Sequence, residues 1–337
     1  MAPTGISSTE TSVFERCHRQ GYLKYYLGIQ PADPSPTGTA NFGIRWHTAM
    51  ECFYGLGLDL NRVLDHLYAA DIAAYPDYEP ELRKDWDMAR IMADGYPEWV
   101  AAEGKDANLE VVTVEQEVRV PLPGFEGIVD LRAKMDMVVR NTETGLLSFL
   151  DHKTGDFKRH DLLAMDQQML RYSLIQWLAS GQPVPEIGFP QELRDDVPLV
   201  NGGIVRTARR VKRTANARPP FYDQAEFRFD QEQMASHLAT TQATVAEILA
   251  ARQRLDQAGG DPRALQRVQL TALRPNKMLR DCDWSCPFSK GLCQLMDSGT
   301  AWMDALVGTG RYVQADPYSY YDRPGAREIA AQLAPVG

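Results

Sequence analysis

From Thr9 to about Leu27, apolar residues return at three- and four-residue steps, through Phe14 and Cys17 to Tyr22 and Tyr25 or Tyr26, and predict a helix. PADPSPTGT (31–39) breaks the pattern into a loop. GIRWHTAMECFYGL resumes helical spacing, and helical sequence continues to about Ala102. The period then changes. LEVVTVEQEVRV (109–120) alternates as a half-buried strand does, and PLPG ends it. Two further strands are predicted over roughly 128–139 and 146–152, followed by a helix from about 161 to 179, where MDQQMLRYSLIQWL is apolar at helical steps. VNGGIVRT and AEFRFD read as late strands before helical sequence returns. There is no internal repeat and no low-complexity tract. Helices on both sides of a small strand cluster indicate an α/β or α+β core with a helical elaboration.

Composition narrows the class. The length of 337 residues allows two ordinary domains or one elaborated one. MAPTGISSTETS has neither a basic nor an apolar stretch of the kind a signal peptide needs, and no apolar run approaches the ~18 residues of a membrane span. A soluble cytoplasmic protein without membrane contact is expected. In that reducing compartment, five cysteines read as metal ligands or buried thiols before disulfides. CDWSCPFSKGLC brings Cys282, Cys286 and Cys293 close enough for a soft metal, yet such sites usually take four ligands. The net charge of −9 argues against a surface that coats nucleic acid generally. It leaves room for a local track. RTARRVKRTANAR, from Arg206 to Arg218, is basic without an acid, and PPFYD follows. This stretch is either an ordinary solvated face or a phosphate-contacting segment using Arg209, Arg210, Lys212 and Arg213, with Phe221 and Tyr222 for base stacking.

The densest chemistry lies in KMDMVVRNTETGLLSFLDHKTGD. Two strand-like runs flank NTETG, which has the composition of a short turn. A hairpin symmetric about that turn pairs position 136 with 151, so Asp136 and Asp151 project from one face with Lys153 two residues on. Two facing carboxylates repel unless a cation joins them, and Mg²⁺ or Mn²⁺ suits oxygen ligands of this kind. Such a metal activates water and offsets charge on a phosphodiester, and Lys153 adds a fixed positive charge. The plain alternative is a surface hairpin with an Asp–Lys ion pair. His47 and Glu51 stand four apart on one helical face, as do Gln168 and Tyr172. Each is either a polar edge of a packed helix or part of the same site, with His47 as a further metal ligand.

In this order the motifs resemble the RecB-like branch of the PD-(D/E)XK nuclease superfamily, and most of all its iron–sulfur exonucleases of the AddB and CRISPR-associated type. GIRWH meets the branch's G-x-x-x-H motif with His47, and Glu51 follows. LRAKMDMVV meets its strand-aspartate motif with Asp136, although GIVD upstream offers Asp130 as a rival. LDHKT meets (D/E)-x-K with Asp151 and Lys153, and QMLRY meets Q-x-x-x-Y with Gln168 and Tyr172. FERCHRQGYLKYYLG resembles the family's N-terminal cysteine and aromatic segment. The chain departs from the pattern at Ala133, where glycine is common, and at His18, where proline often follows the cysteine. Its C-x3-C-x6-C gaps are each one residue longer than the commonest ones.

The resemblance implies that Cys17 is the fourth ligand beside Cys282, Cys286 and Cys293, together holding a 4Fe–4S cluster, with zinc as the rival. Cys52 is left over as a core thiol. It also implies that Asp136, Asp151 and His47 bind Mg²⁺ or Mn²⁺, with the His152 carbonyl assisting, that Lys153 orients water or stabilises charge, that Gln168 and Tyr172 position the substrate, and that Glu51 completes a second metal site. The expected fold is mixed α/β: a restriction-endonuclease-like core with a small central mixed sheet flanked by helices, a helical elaboration, and an iron–sulfur clip joining the N- and C-terminal regions. Residues 1–30 are expected to supply one cluster cysteine. Residues 40–230 form the nuclease core with a helical insertion at about 57–105, residues 231–310 form a helical region with three cluster cysteines, and 311–337 form a tail. The expected function is a metal-dependent DNA nuclease, an exonuclease on single-stranded DNA or DNA ends. The alternatives are a non-catalytic iron–sulfur module that binds DNA ends, and an iron–sulfur electron-transfer or radical enzyme. No G-x-x-x-x-G-K-[ST] loop is present for ATP-driven unwinding, which leaves that task to a helicase partner in recombination or CRISPR adaptation.

Overall fold

The computed structural model describes residues 4–157, 160–163, 165–181, 202–212, 217–259, 261–276, 282, 286–289, 291–298, 310–319 and 324–333. Strand β1 (Thr4–Ser7) leads into α1 (Ser8–Arg16), α2 (His18–Gly21), a π-helical turn (Tyr22–Tyr26) and β2 (Ile29–Pro31). Three helices follow: α3 (Thr39–Leu56), α4 (Leu60–Ala74) and α5 (Glu79–Ala102). Next come β3 (Leu109–Pro121), β4 (Val129–Asn141), β5 (Leu147–Thr154), α6 (His160–Leu163), α7 (Gln167–Ala179), β6 (Gly202–Ala208) and β7 (Tyr222–Arg228). The chain continues through α8 (Gln231–Ala258), α9 (Pro262–Thr271), α10 (Leu292–Ser298), β8 (Tyr312–Gln314) and α11 (Ala326–Leu333). The mixed α/β architecture, with a central mixed sheet flanked by helices, is the expected one. No helix among the described residues is long and apolar enough to cross a membrane.

Two predicted helices are interrupted, each at a residue with extended backbone. Cys17 (φ −158°, ψ 107°) ends α1 with its N–H on Val13 O, while its own carbonyl starts α2 by accepting from Gly21. The run predicted over 161–179 breaks before α7, where Asp166 (φ −72°, ψ 115°) takes the N–H groups of Gln168 and Met169 on its carboxylate. An apolar period carries through such a break because the flanking turns still bury the same side.

The chain forms two compact units. The first comprises Met1–Pro34, Arg119–Arg132 and Ala235–Asp322. Its core gathers Tyr22, Leu23 and Ile29 with Ala251, Leu255, Leu273, Phe288, Leu292 and Met296. The second comprises Ser35–Val118, Ala133–Met234 and Arg323–Gly337. Here α3 buries Phe42, Trp46, Ala49 and Met50 at three- and four-residue steps in a core shared with α4 and α5, which leaves His47 on a neighbouring face.

Within the second unit, β4 and β5 pair antiparallel from Met137↔Leu150 to Arg140↔Leu147. Every pair sums to 287, the register that symmetry about NTETG predicts, and its extension sets Asp136 opposite Asp151. Strand β5 pairs in parallel with β6, which requires a crossover, and α7 lies on that connection. Gly203 on β6 registers between Phe149 and Phe227, where a Cβ would lie 2.5 Å from one ring and 2.4 Å from the other. A glycine lets both rings close over the middle strand.

Candidate active site

Helix α3 and strands β3, β4 and β5 of the second unit each send one or more ionisable groups to the same place. Nδ1 of His47 lies 3.0 Å from Oδ2 of Asp136, and the N–H of His152 donates to that same oxygen at 2.7 Å. A carboxylate holding two donors resists protonation. Although burial raises the Asp136 pKa, the His47 charge and hydrogen bond bring it down to about 2. For His47, burial works against the charged ring, and Asp136 more than offsets it, so its pKa lies above the usual imidazole value.

Sequence reasoning missed the third member of the group, Glu115. Its ligand oxygen, a His47 ring nitrogen and an Asp136 oxygen all lie within 4.8 Å of one another. Glu115 adopts φ 48° in the middle of β3, a left-handed conformation that costs a non-glycine residue about 1–3 kcal/mol. Burial first, and then the Asp136 charge, push its carboxyl up to about 7, against the pull of Lys134, whose Nζ stands 3.0 Å away. A signal was present only in retrospect: VEQE places glutamates on a strand leading to the hairpin, but residue type does not announce a left-handed kink.

Beside this group, Asp151 is 1% exposed and pairs with Lys153, whose Nζ lies 2.8 Å from Oδ2 and 3.0 Å from Oδ1. Burial raises Asp151 to about 6 even with that ammonium next to it. Burial works against the Lys153 charge, yet Asp151 and Asp136 together raise its pKa, so it stays an ammonium. Helix α7 fixes its direction. Lys153 donates to Gln168 Oε1 at 3.0 Å, Gln168 Nε2 donates to the Tyr172 hydroxyl at 2.9 Å, and that hydroxyl donates to Lys134 O at 3.2 Å. The cation is thus locked through three successive hydrogen bonds to the backbone of β4.

A family model for the PD-(D/E)XK nuclease superfamily matches residues 5–294, nearly the whole chain. The chain belongs to the PD-(D/E)XK nuclease superfamily. No curated protein matches it. Membership implies metal-dependent nuclease activity with DNA as substrate, and the residues present fit the metal. One imidazole and two carboxylates converge with a protonatable site among them, a donor set for a hard or borderline divalent ion.

The other predicted residues of this nuclease fall as follows. Asp130 registers with Gly5 on β1 in the first unit, while Asp136 stands beside His47. Glu51 accepts the N–H of Ala326 at the start of α11, at 2.9 Å, and is not part of the group around Asp136. The His152 ring is driven down to about 3 by burial, so it stays neutral, and it stacks on Tyr54 at 5.7 Å.

The basic segment needs correction at both ends. Arg206 is 1% exposed and ties Asp106, Tyr54, Lys105 O and Gln224 together, so it is no part of a surface track. Tyr222 is buried, gives its hydroxyl to Met92 O and stacks on Trp99, which removes it from base stacking. Arg209 lies over the Phe157 ring and Arg210 over the Phe42 ring, while Lys212 is exposed. Arg213 lies outside the described residues.

All four cysteines assigned to a cluster belong to the first unit. Asn276 links two of them: its N–H donates to Cys17 Sγ at 3.4 Å, and Cys282 Sγ donates to its carbonyl at 3.1 Å. Burial raises the Cys286 thiol, and Cys17, Cys293 and Cys282 add to the rise. Among the described residues, however, only His47, Glu115 and Asp136 bring three ligand atoms within 4.8 Å of one another, and the four cysteines are not gathered that tightly. Cys52 is fully buried in the core of α3, its thiol pushed up to about 11 by burial and by Glu51.

Proposed function

We propose that this protein is a Mg²⁺- or Mn²⁺-dependent deoxyribonuclease that removes nucleotides from single-stranded or frayed DNA ends. The observation that carries this reading is the meeting of His47, Glu115 and Asp136 beside a locked Asp151–Lys153 pair. His47, Asp136 and Glu115 hold the ion, and Asp151 faces the same space from β5. An ion there supplies Lewis acidity, lowering the pKa of a water and offsetting charge on the phosphate. Lys153 presents a fixed ammonium to the charge that develops at phosphorus. Gln168 and Tyr172 keep that ammonium from swinging away, and the His152 N–H keeps the Asp136 carboxylate turned toward His47. Arg209, Arg210 and Lys212 contact the DNA backbone, together with Arg213. Cys17, Cys282, Cys286 and Cys293 hold a 4Fe–4S cluster with a structural role, supported by their sharing one unit and by the Asn276 link between two of them. A chain lacking a nucleotide-binding loop depends on a separate helicase where duplex must be opened.

The test is end-labelled single-stranded DNA incubated with Mn²⁺, comparing the intact protein with a folded Lys153→Ala variant. Cleavage by the intact protein is expected to fall by about 10²–10³ in the variant. Equal cleavage by both would remove Lys153 from the reaction. DNA bound but uncut by either would favour the end-binding module.

A further inference from the structure

Arg19 lies two residues past Cys17, in the unit that holds all four cysteines, and is 1% exposed. The nuclease chemistry does not use it. Burying a guanidinium is costly, and a hydrocarbon of similar volume often does better, so such a cation calls for a charge that it serves. Its partners identify that charge. Nη1 donates to the carbonyl of Cys293 at 2.9 Å and to its Sγ at 3.4 Å, and Nη2 stands 2.9 Å from Asp297 Oδ1. Nε donates to Leu273 O at 3.4 Å. One planar fork therefore spans from the turn after Cys17 to α10, which carries Cys293 and Asp297, and spends a donor on a sulfur. The neighbouring His18 makes an instructive contrast: it stacks on Phe14 and meets Ala272 O instead of a sulfur.

A four-thiolate metal centre carries net negative charge, and the Asp297 carboxylate adds to it. We infer that Arg19 is a positioning residue for the four-cysteine centre, holding the Cys293 sulfur at its ligand position and setting the charge that the centre tolerates. The inference rests on the four-cysteine reading above. A cationic N–H on a ligand sulfur stabilises the thiolate, and it stabilises the reduced form of an iron–sulfur centre over the oxidised form. Losing it speeds metal loss and lowers the reduction potential. Losing the Asp297 charge moves the potential the other way, a sign reversal that mere loosening of the fold does not produce.

The experiment uses the full chain, prepared without oxygen and loaded with iron and sulfide, as intact protein, Arg19→Met, Arg19→Lys and Asp297→Asn. Chelator-driven metal release and midpoint potential are read for each, with circular dichroism as the check on folding. Arg19→Met is expected to lose metal about 10- to 100-fold faster and to have a more negative potential. Asp297→Asn is expected to be more positive than the intact protein. Where Arg19→Met does not fold, Arg19→Lys decides the question, because it keeps the charge and loses the fork; release several-fold faster than the intact protein is expected. Folded Arg19 variants with unchanged release and potential overturn the inference. If the intact protein takes up zinc instead, the same comparison of release rates decides it. An intact protein that takes up neither iron and sulfide nor zinc overturns the four-cysteine reading itself, an outcome seen before any variant is compared.

Discussion

At Glu115 a left-handed backbone turns a strand glutamate toward His47 and Asp136, and protons compete there with any cation. Its carboxyl is raised to about 7 and that of Asp151 to about 6, whereas Asp136 lies near 2. The sign follows from which form binds. A divalent ion takes the deprotonated carboxylates and the neutral His47 ring, so below these values, and below the raised pKa of His47, it must displace protons. Apparent Mn²⁺ affinity is therefore expected to rise from about pH 5.5 through 7.5, as Asp151 and Glu115 lose their protons. Glu115→Gln is expected to weaken Mn²⁺ binding at least about tenfold at pH 7.5 and to flatten the upper part of that rise. Calorimetric Mn²⁺ titrations at three pH values check both, and a variant with the intact protein's affinity and pH slope would take Glu115 out of the ligand set. At this scale the sequence was half legible. Asp136, Asp151 and Lys153 announce themselves because their spacing about a turn forces them together. Glu115 does not, because its position depends on one strained dihedral. Arg206 and Tyr222 read as surface chemistry in a basic aromatic stretch, yet neighbours distant in sequence, Asp106 and Met92, hold them inside.

The elements show why spacing was readable and continuity was not. A hairpin with a short turn has few registers, and alternation rejects those that turn the apolar side outward, so the β4–β5 register follows from KMDMVVRNTETGLLSFLDHKT alone. A helix break has no comparable signature when the apolar side continues across it, as at Cys17 and Asp166. The break at Asp166 has a function. Its side chain caps α7 by accepting from Gln168 and Met169, and Gln168 is the residue that holds Lys153. Asp166 also adds to the field that keeps Lys153 charged. Asp166→Ala is expected to lower stability by about 1 kcal/mol, as loss of a cap does, and to reduce cleavage more than that loss of folded protein explains. Asp166→Asn, which keeps a capping oxygen, is expected to restore most of the stability. Urea unfolding and turnover measured on the same samples separate the two effects. Equal turnover per folded molecule in all three proteins would reduce Asp166 to a cap alone.

For the whole molecule, the net charge of −9 means that any hold on DNA must come from a local concentration of cations rather than from the surface as a whole. Of the basic segment, Arg206 is spent on the interior, while Arg209 and Arg210 lie against aromatic faces. Rings beneath two of the cations limit how far they swing, so they present charge at fixed places, and Lys212 adds an exposed one. Phe157 follows the strand that carries Asp151 and Lys153, and Phe42 lies on the helix that carries His47, so these charges border the elements that build the site. Binding of single-stranded DNA is therefore expected to depend on salt through these residues. Neutralising Arg209, Arg210 and Lys212 to Gln is expected to weaken binding at low salt and to reduce the slope of log K against log salt by about 0.7 for each phosphate that a cation no longer neutralises. Measured by fluorescence anisotropy without added Mg²⁺ or Mn²⁺, an unchanged slope would assign the cations to folding. In that case DNA must be held by groups elsewhere in the chain, with Lys134 and Lys153 as the cations already lining the site.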